Sequence, residues 1–282
     1  MTSAPTMLGS PVLASRRPVR RLALVAFGAL LLRDLRVVRK QWRMFLARVV
    51  SQPLLVVFVF GYVFPKIGQG IGGNAAAQAH FTTLLAPGMI AIAVIFQGIQ
   101  AVALPLVNEF GYTREIEDRV MAPVPVWGVA AAKIVSGAVQ SAIAACVVVP
   151  LVLVIPSAPV TLSFTWVELL TVGPIACLLA GSLGLAIGTS FEPRQVSLIF
   201  SIVVLPMTFL GACYYPWERL ASIEWLRWAV LVNPLVYVSE GLRMAITDIP
   251  HMSVLGVYGG LIGFTALLAR VGIKGFTKRV LS

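Results

Sequence analysis

The chain has 282 residues, 59% of them hydrophobic and only 12% charged, with a formal net charge of +11 and a mean hydropathy of +0.92. A soluble domain is about half apolar and a quarter charged, so water is excluded as the solvent for most of this chain, leaving an integral membrane protein. The positive charge does not point to nucleic acid, because the cations cluster before the first span and at selected loops, as membrane orientation requires.

Residues 1–19 hold Ser, Thr, Pro and Arg without periodicity and read as a disordered cytoplasmic tail. Arg16, Arg17, Arg20 and Arg21 then precede the apolar run from Leu22 to Leu32. A run of that length is too short to span. It is followed by Arg33 to Lys40 rather than by a small-x-small cleavage site, so a signal peptide is the poorer reading. Residues 20–43 are expected to form an interfacial helix whose arginines reach the headgroup phosphates.

Six apolar runs follow within 44–272, at about 44–64, 84–105, 129–154, 166–188, 197–215 and 253–272, each near the ~20 residues a spanning helix needs. Between the last two, residues 216–252 mix Trp217, Trp225, Trp228 and Tyr237 with Glu218, Arg219, Glu224, Arg227, Glu240, Arg243 and Asp248. That segment is too charged to cross and is expected to enter the outer leaflet as a re-entrant helical hairpin, its aromatic residues at the interface. Residues 273–282 form a second cytoplasmic tail. The predicted fold is thus all-α, with six transmembrane helices, an N-terminal interfacial helix and this extracellular hairpin.

Orientation follows from the 22 Lys and Arg residues. With both termini inside, only Lys66, Arg219, Arg227 and Arg243 fall outside, and that bias places the multi-pass protein in the cell membrane with cytoplasmic ends. Arg48, Lys133, Glu168 and Arg270 lie near span ends, where they can reach water, and no ionisable group lies near a midplane. A secondary transporter needs such groups, so the energy is expected from elsewhere. It does not come from this chain, which has no GxxxxGK[ST] phosphate loop and no catalytic motif. Cys146, Cys177 and Cys213 sit in or beside apolar runs without CxxC spacing, and His80 and His251 are far apart, so no disulfide, metal or cofactor is expected. Gly173, Gly181, Gly184 and Gly188 permit close helix packing, within the chain or at a dimer seam.

The connection after the second run is an acidic-basic island, Asn108 to Pro125, containing Glu109, Arg114, Glu115, Glu117, Asp118 and Arg119 and closed by Pro123 and Pro125. Three stretches together carry a resemblance. They are Ala86-Pro87-Gly88-Met89; Arg114 to Arg119 with Ala122-Pro123-Val124-Pro125 and Lys133; and Gly211 to Pro216, continuing through Trp225 and Trp228 to Asn233-Pro234-Leu235 and Glu240-Gly241-Leu242-Arg243. In order and spacing, over roughly residues 30–272, they resemble the membrane-spanning permease subunits of type-2 ABC exporters, which move drugs, polysaccharides and lipids.

The resemblance implies a permease homodimer, or a heterodimer with a related permease, above two copies of a separate ABC ATPase. It makes the island a cytoplasmic coupling helix, with Arg114, Glu115, Glu117, Asp118 and Arg119 docking on the ATPase. Glu109 would add a further carboxylate for basic residues there. Tyr215, Trp217, Trp225, Trp228, Glu240 and Arg243 would form the outer hairpin and gate. Glu240 and Arg243, one turn apart, are placed to pair, while the tryptophans also suit plain interfacial anchoring. Few polar side chains in the spans favour a hydrophobic or amphiphilic cargo, drug-like or lipid. Phe96, Gln97, Gln100 and Asn108 would meet it or serve helix contacts. A glycan-chain exporter on the same scaffold and a membrane channel or scaffold without an ATPase are the alternatives.

Overall fold

Proline sits inside these helices without ending them. Pro53, Pro87, Pro105, Pro150 and Pro174 all lie inside long helices. Each removes a backbone donor and presses its ring on the carbonyl four residues back, a defect that neighbouring helices can repair in a membrane protein. The computed structural model describes residues 19–67, 75–110, 125–191 and 200–281, and every regular element among them is helical.

Helix α1, Val19–Lys40, meets α2, Trp42–Val57, at a single break on Gln41. The break lies inside residues 20–43, expected as one interfacial helix, so α2 begins two residues before the expected first span at 44–64. Beyond Pro53, α2 passes into π-helical turns at Phe58–Val63. Helix α3 runs Ala75–Asn108, 34 residues or about 50 Å. It begins well before the apolar run because the Ala-rich stretch ahead of His80 is a good helix former without being apolar enough to read as a span. Helices α4, Val126–Val154, and α5, Trp166–Ser190, follow. The last long helix is α9, Val254–Leu281, which continues through the residues expected to form a C-terminal tail.

By length and composition five of these helices can cross a membrane, the first as Trp42–Val63. Of the expected fifth span at 197–215, residues 197–199 lie outside the described residues. Then come π turns at Phe200–Val204 and a short α6, Leu205–Phe209, and residues 210–215 are turns and bends. The hairpin segment comprises a 3₁₀ turn at Trp217–Ser222, α7 at Glu224–Ala229, a second 3₁₀ turn at Val230–Val232 and α8 at Pro234–Ile246. The axis bends by 99° between Glu224–Val232 and Pro234–Ile246.

Helices α3, α4 and α5 pack on one another, α9 lies on α5, and α2 lies on α3 and α4. A side chain at Gly184 would meet the Gly98 carbonyl, one at Gly181 the Ile134 carbonyl and one at Gly188 the Ala103 backbone, whereas Gly173 faces open space. Three of these four glycines are therefore explained by close packing within the chain.

Candidate functional site

Where α3 ends, Glu109 is turned toward α4, on which Lys133 lies two turns from the start. The Lys133 ammonium donates to Glu109 Oε1 at 2.8 Å, and both side chains are buried. This differs from the expectation for both residues. Lys133 does not reach water, and Glu109 is engaged inside the chain instead of being offered to a partner. The reason is that facing helices bring the two charges to one depth, where burial requires pairing.

Next to this pair, Phe110 sets its ring edge-on to Phe276 at a centroid distance of 5.8 Å. Phe276 is fully buried and packs with Leu106, Val129, Ile134 and Leu185. Arg279 lies over the Phe110 ring at 5.6 Å and donates to the Phe191 carbonyl at 2.6 Å. The base of the island is thus clamped by α3, α4 and the end of α9. Arg114, Glu115, Glu117, Asp118 and Arg119 fall in 111–124, outside the described residues. Lys133→Met is expected to lower stability by about 1–3 kcal/mol, since it leaves a buried carboxylate without its cation. Adding Glu109→Gln should recover part of that loss in thermal unfolding of the purified protein.

Away from this pair, Asn233 caps α8. Its Oδ1 accepts from the Leu235 amide at 3.0 Å, its Nδ2 donates to the Met207 carbonyl at 2.7 Å, and Pro234 occupies the first turn, where it has no donor to lose. Further along α8, Glu240 and Arg243 are fully buried and form an ion pair. Glu240 Oε1 also accepts from the Trp217 amide at 2.9 Å, and its Oε2 from the Met252 amide at 2.8 Å. Arg243 Nη2 donates to the Ala212 carbonyl at 2.9 Å, and Ser239 Oγ to the Gly211 carbonyl at 2.6 Å. One carboxylate and one guanidinium therefore gather four separate stretches of chain.

Trp217 is held in the same network. Its indole donates to the Arg227 carbonyl at 3.0 Å, and the Arg227 guanidinium lies 4.2 Å from its ring centroid. Tyr215 donates to the Phe209 carbonyl at 3.2 Å. Trp225 and Trp228 instead stand 73% and 62% exposed. The structure thus divides the expected gate residues into an inner group, Tyr215, Trp217, Glu240 and Arg243, and an outward-facing tryptophan pair. No spacing or motif marks Met252 as part of this network. Beside it, α3 approaches the Cys213 backbone through Gly88, where no side chain would fit.

Between the α1–α2 elbow, α3 and α4 lies a cavity of about 480 Å³, whose walls include Arg33, Arg48, Gln100, Asn108, Lys133 and Gln140. Gln97, buried behind it, donates to Gln140 at 3.4 Å, and Gln140 to Ser136 at 3.4 Å. Of the four side chains expected to meet a cargo, Gln100 and Asn108 line this cavity. Gln97 serves a helix contact, and Phe96 packs against the core.

A sequence model described as ABC-2 type transporter matches residues 25–247. Among curated proteins, the inner membrane transport permease YadH of Escherichia coli strain K12 is 27% identical over 215 residues, which cover 73% of this chain and 79% of that protein. Proteins of the same name from Escherichia coli O157:H7 and Shigella flexneri match to the same extent.

Proposed function

The chain belongs to the ABC-2 type transporter family and is a multi-pass membrane transport permease that works with an ABC ATPase; from that premise we propose that it exports a hydrophobic or amphiphilic compound. Two copies of the ATPase would serve a pair of permeases, each with both termini in the cytoplasm. ATP binding closes the ATPase pair, and the island around Glu115, Glu117 and Asp118 passes that motion to the spans. The permease binds and conducts and makes no covalent bond.

The observation that carries this reading is the clamped base of the island. Glu109 with Lys133 and Phe110 with Phe276 fix the leading flank of the segment, where it leaves α3, to α4 and α9, so force on it would reach the bundle instead of being lost in a slack loop. The few polar side chains inside the bundle, engaged with one another as Gln97, Gln140 and Ser136 are, support an apolar or amphiphilic cargo.

The test is co-purification and ATP hydrolysis of the ATPase with the full chain in lipid. Wild type should hold the ATPase, and Glu117→Lys/Asp118→Lys should lose most of it, since each carboxylate paired with a partner cation contributes roughly 1.5–3 kcal/mol. Equal retention by the double variant would move the docking contact away from the island.

A further inference from the structure

Arg48 is anomalous among the cations of this chain. It sits six residues into α2, about 9 Å from Trp42 along the helix axis, on a helix otherwise suited to lipid. Lys133 answers Glu109 and Arg243 answers Glu240, but the Arg48 guanidinium has no hydrogen bond or ion pair among the described residues. It borders the 480 Å³ cavity, a space with room for upward of a dozen waters. Gln100 on the opposite wall likewise has no partner among the described residues. Lys133 and Glu109 neutralise each other there, so among the described lining residues Arg48 stands as a cation without an ion pair, beside the side-chain amide of Gln100.

We propose that this cavity is a binding site for the anionic head of an amphiphile, with Arg48 as its main cation and Gln100 as a neutral donor. A guanidinium suits a phosphate or carboxylate because it can donate two parallel bonds. The crevice that continues between α2 and α3 past Pro53 and Phe96 holds only about 20 Å³, too little for an acyl chain. The apolar part of the ligand therefore stays in the bilayer beside α2, whose Leu46, Leu54 and Leu55 are exposed. Two sources share this chemistry: an anionic phospholipid of the adjoining leaflet and a transported anionic amphiphile. Binding is a property of the permease itself and goes beyond the exporter reading, which tells only which leaflet supplies the ligand.

The experiment is native mass spectrometry of the full chain released from nanodiscs containing equal phosphatidylglycerol and phosphatidylcholine. Wild type should retain phosphatidylglycerol over phosphatidylcholine, and Arg48→Gln should weaken that retention about tenfold. Arg48→Lys should keep most of it, and Arg43→Gln, a cation on the elbow outside the cavity, should change it little. Unfolding midpoints of each variant separate loss of binding from loss of fold. Equal retention of the two lipids by wild type overturns the proposal, as does an Arg43→Gln effect as large as that of Arg48→Gln. A phosphatidylglycerol that persists through purification without altering ATP turnover of the complex identifies a resident lipid. One that exchanges and alters turnover identifies a cargo, and either supports the site. Since the permease is measured alone, failure to recruit an ATPase would leave this result standing.

Discussion

Arg243→Ala is expected to destabilise the protein by about 3–5 kcal/mol, the cost of breaking a buried pair from one side. Glu240 would keep its bonds from the Trp217 and Met252 amides but lose the only cation that pairs with it among the described residues, in a place without water. The Ala212 carbonyl would lose its donor as well. A loss of this size is a large share of the ~5–15 kcal/mol that holds a typical domain, so the variant should be recovered poorly and unfold at a clearly lower temperature. Glu240→Ala should cost as much for the opposite reason, because it strands a guanidinium and two backbone amides. Glu240→Gln with Arg243→Met removes both charges while keeping an acceptor for those amides, and should sit between wild type and either single variant. Thermal unfolding followed by size-exclusion chromatography ranks the four. If Arg243→Ala unfolds with wild type, the pair does not hold the segments around Ala212, Trp217 and Met252 together.

Gly88→Ala is expected to fall at the upper end of the ~1–3 kcal/mol typical of overpacking, or beyond it. The added methyl would land on the backbone of Cys213, which cannot rotate away as a side chain can. Ala212 already stands at φ 52°, and its carbonyl is held by Arg243. Yielding would therefore disturb the buried ion pair. Gly173→Ala is the control, since a methyl there meets nothing within 4 Å and should be neutral or slightly stabilising through helix propensity. Equal unfolding temperatures for these two alanine variants would refute the close approach.

The helices are legible in the sequence because an apolar run of bilayer length has little use except to cross or line a membrane. The junction near Gln41 is legible because a basic stretch separates a short apolar run from a long one. The cap at Asn233 and the pairing of Glu240 with Arg243 are legible because both are local, set by neighbours one turn apart or less. The rest is not, because it depends on contacts distant in sequence. Nothing in the spacing of Glu109 and Lys133 shows that α3 and α4 face each other there. A lysine near a span end looks the same whether it snorkels or pairs inward. The Ala86-Pro87-Gly88-Met89 and Gly211-Ala212-Cys213 stretches are both visible as motifs, yet that one makes room for the other appears only in three dimensions. The full extent of α3 is hidden because hydropathy measures preference for lipid, while its first turns are helical through alanine.

The clamp on the island also sets an order of assembly. Phe110 is made roughly 165 residues before Phe276, the ring against which it rests, and Arg279 comes later still. During synthesis the flank of the island at Phe110 stays unfinished until Phe276 and Arg279 of α9 have left the ribosome. A nascent permease therefore cannot complete this flank, and any partner that docks there would meet a mature surface only once α9 is in place.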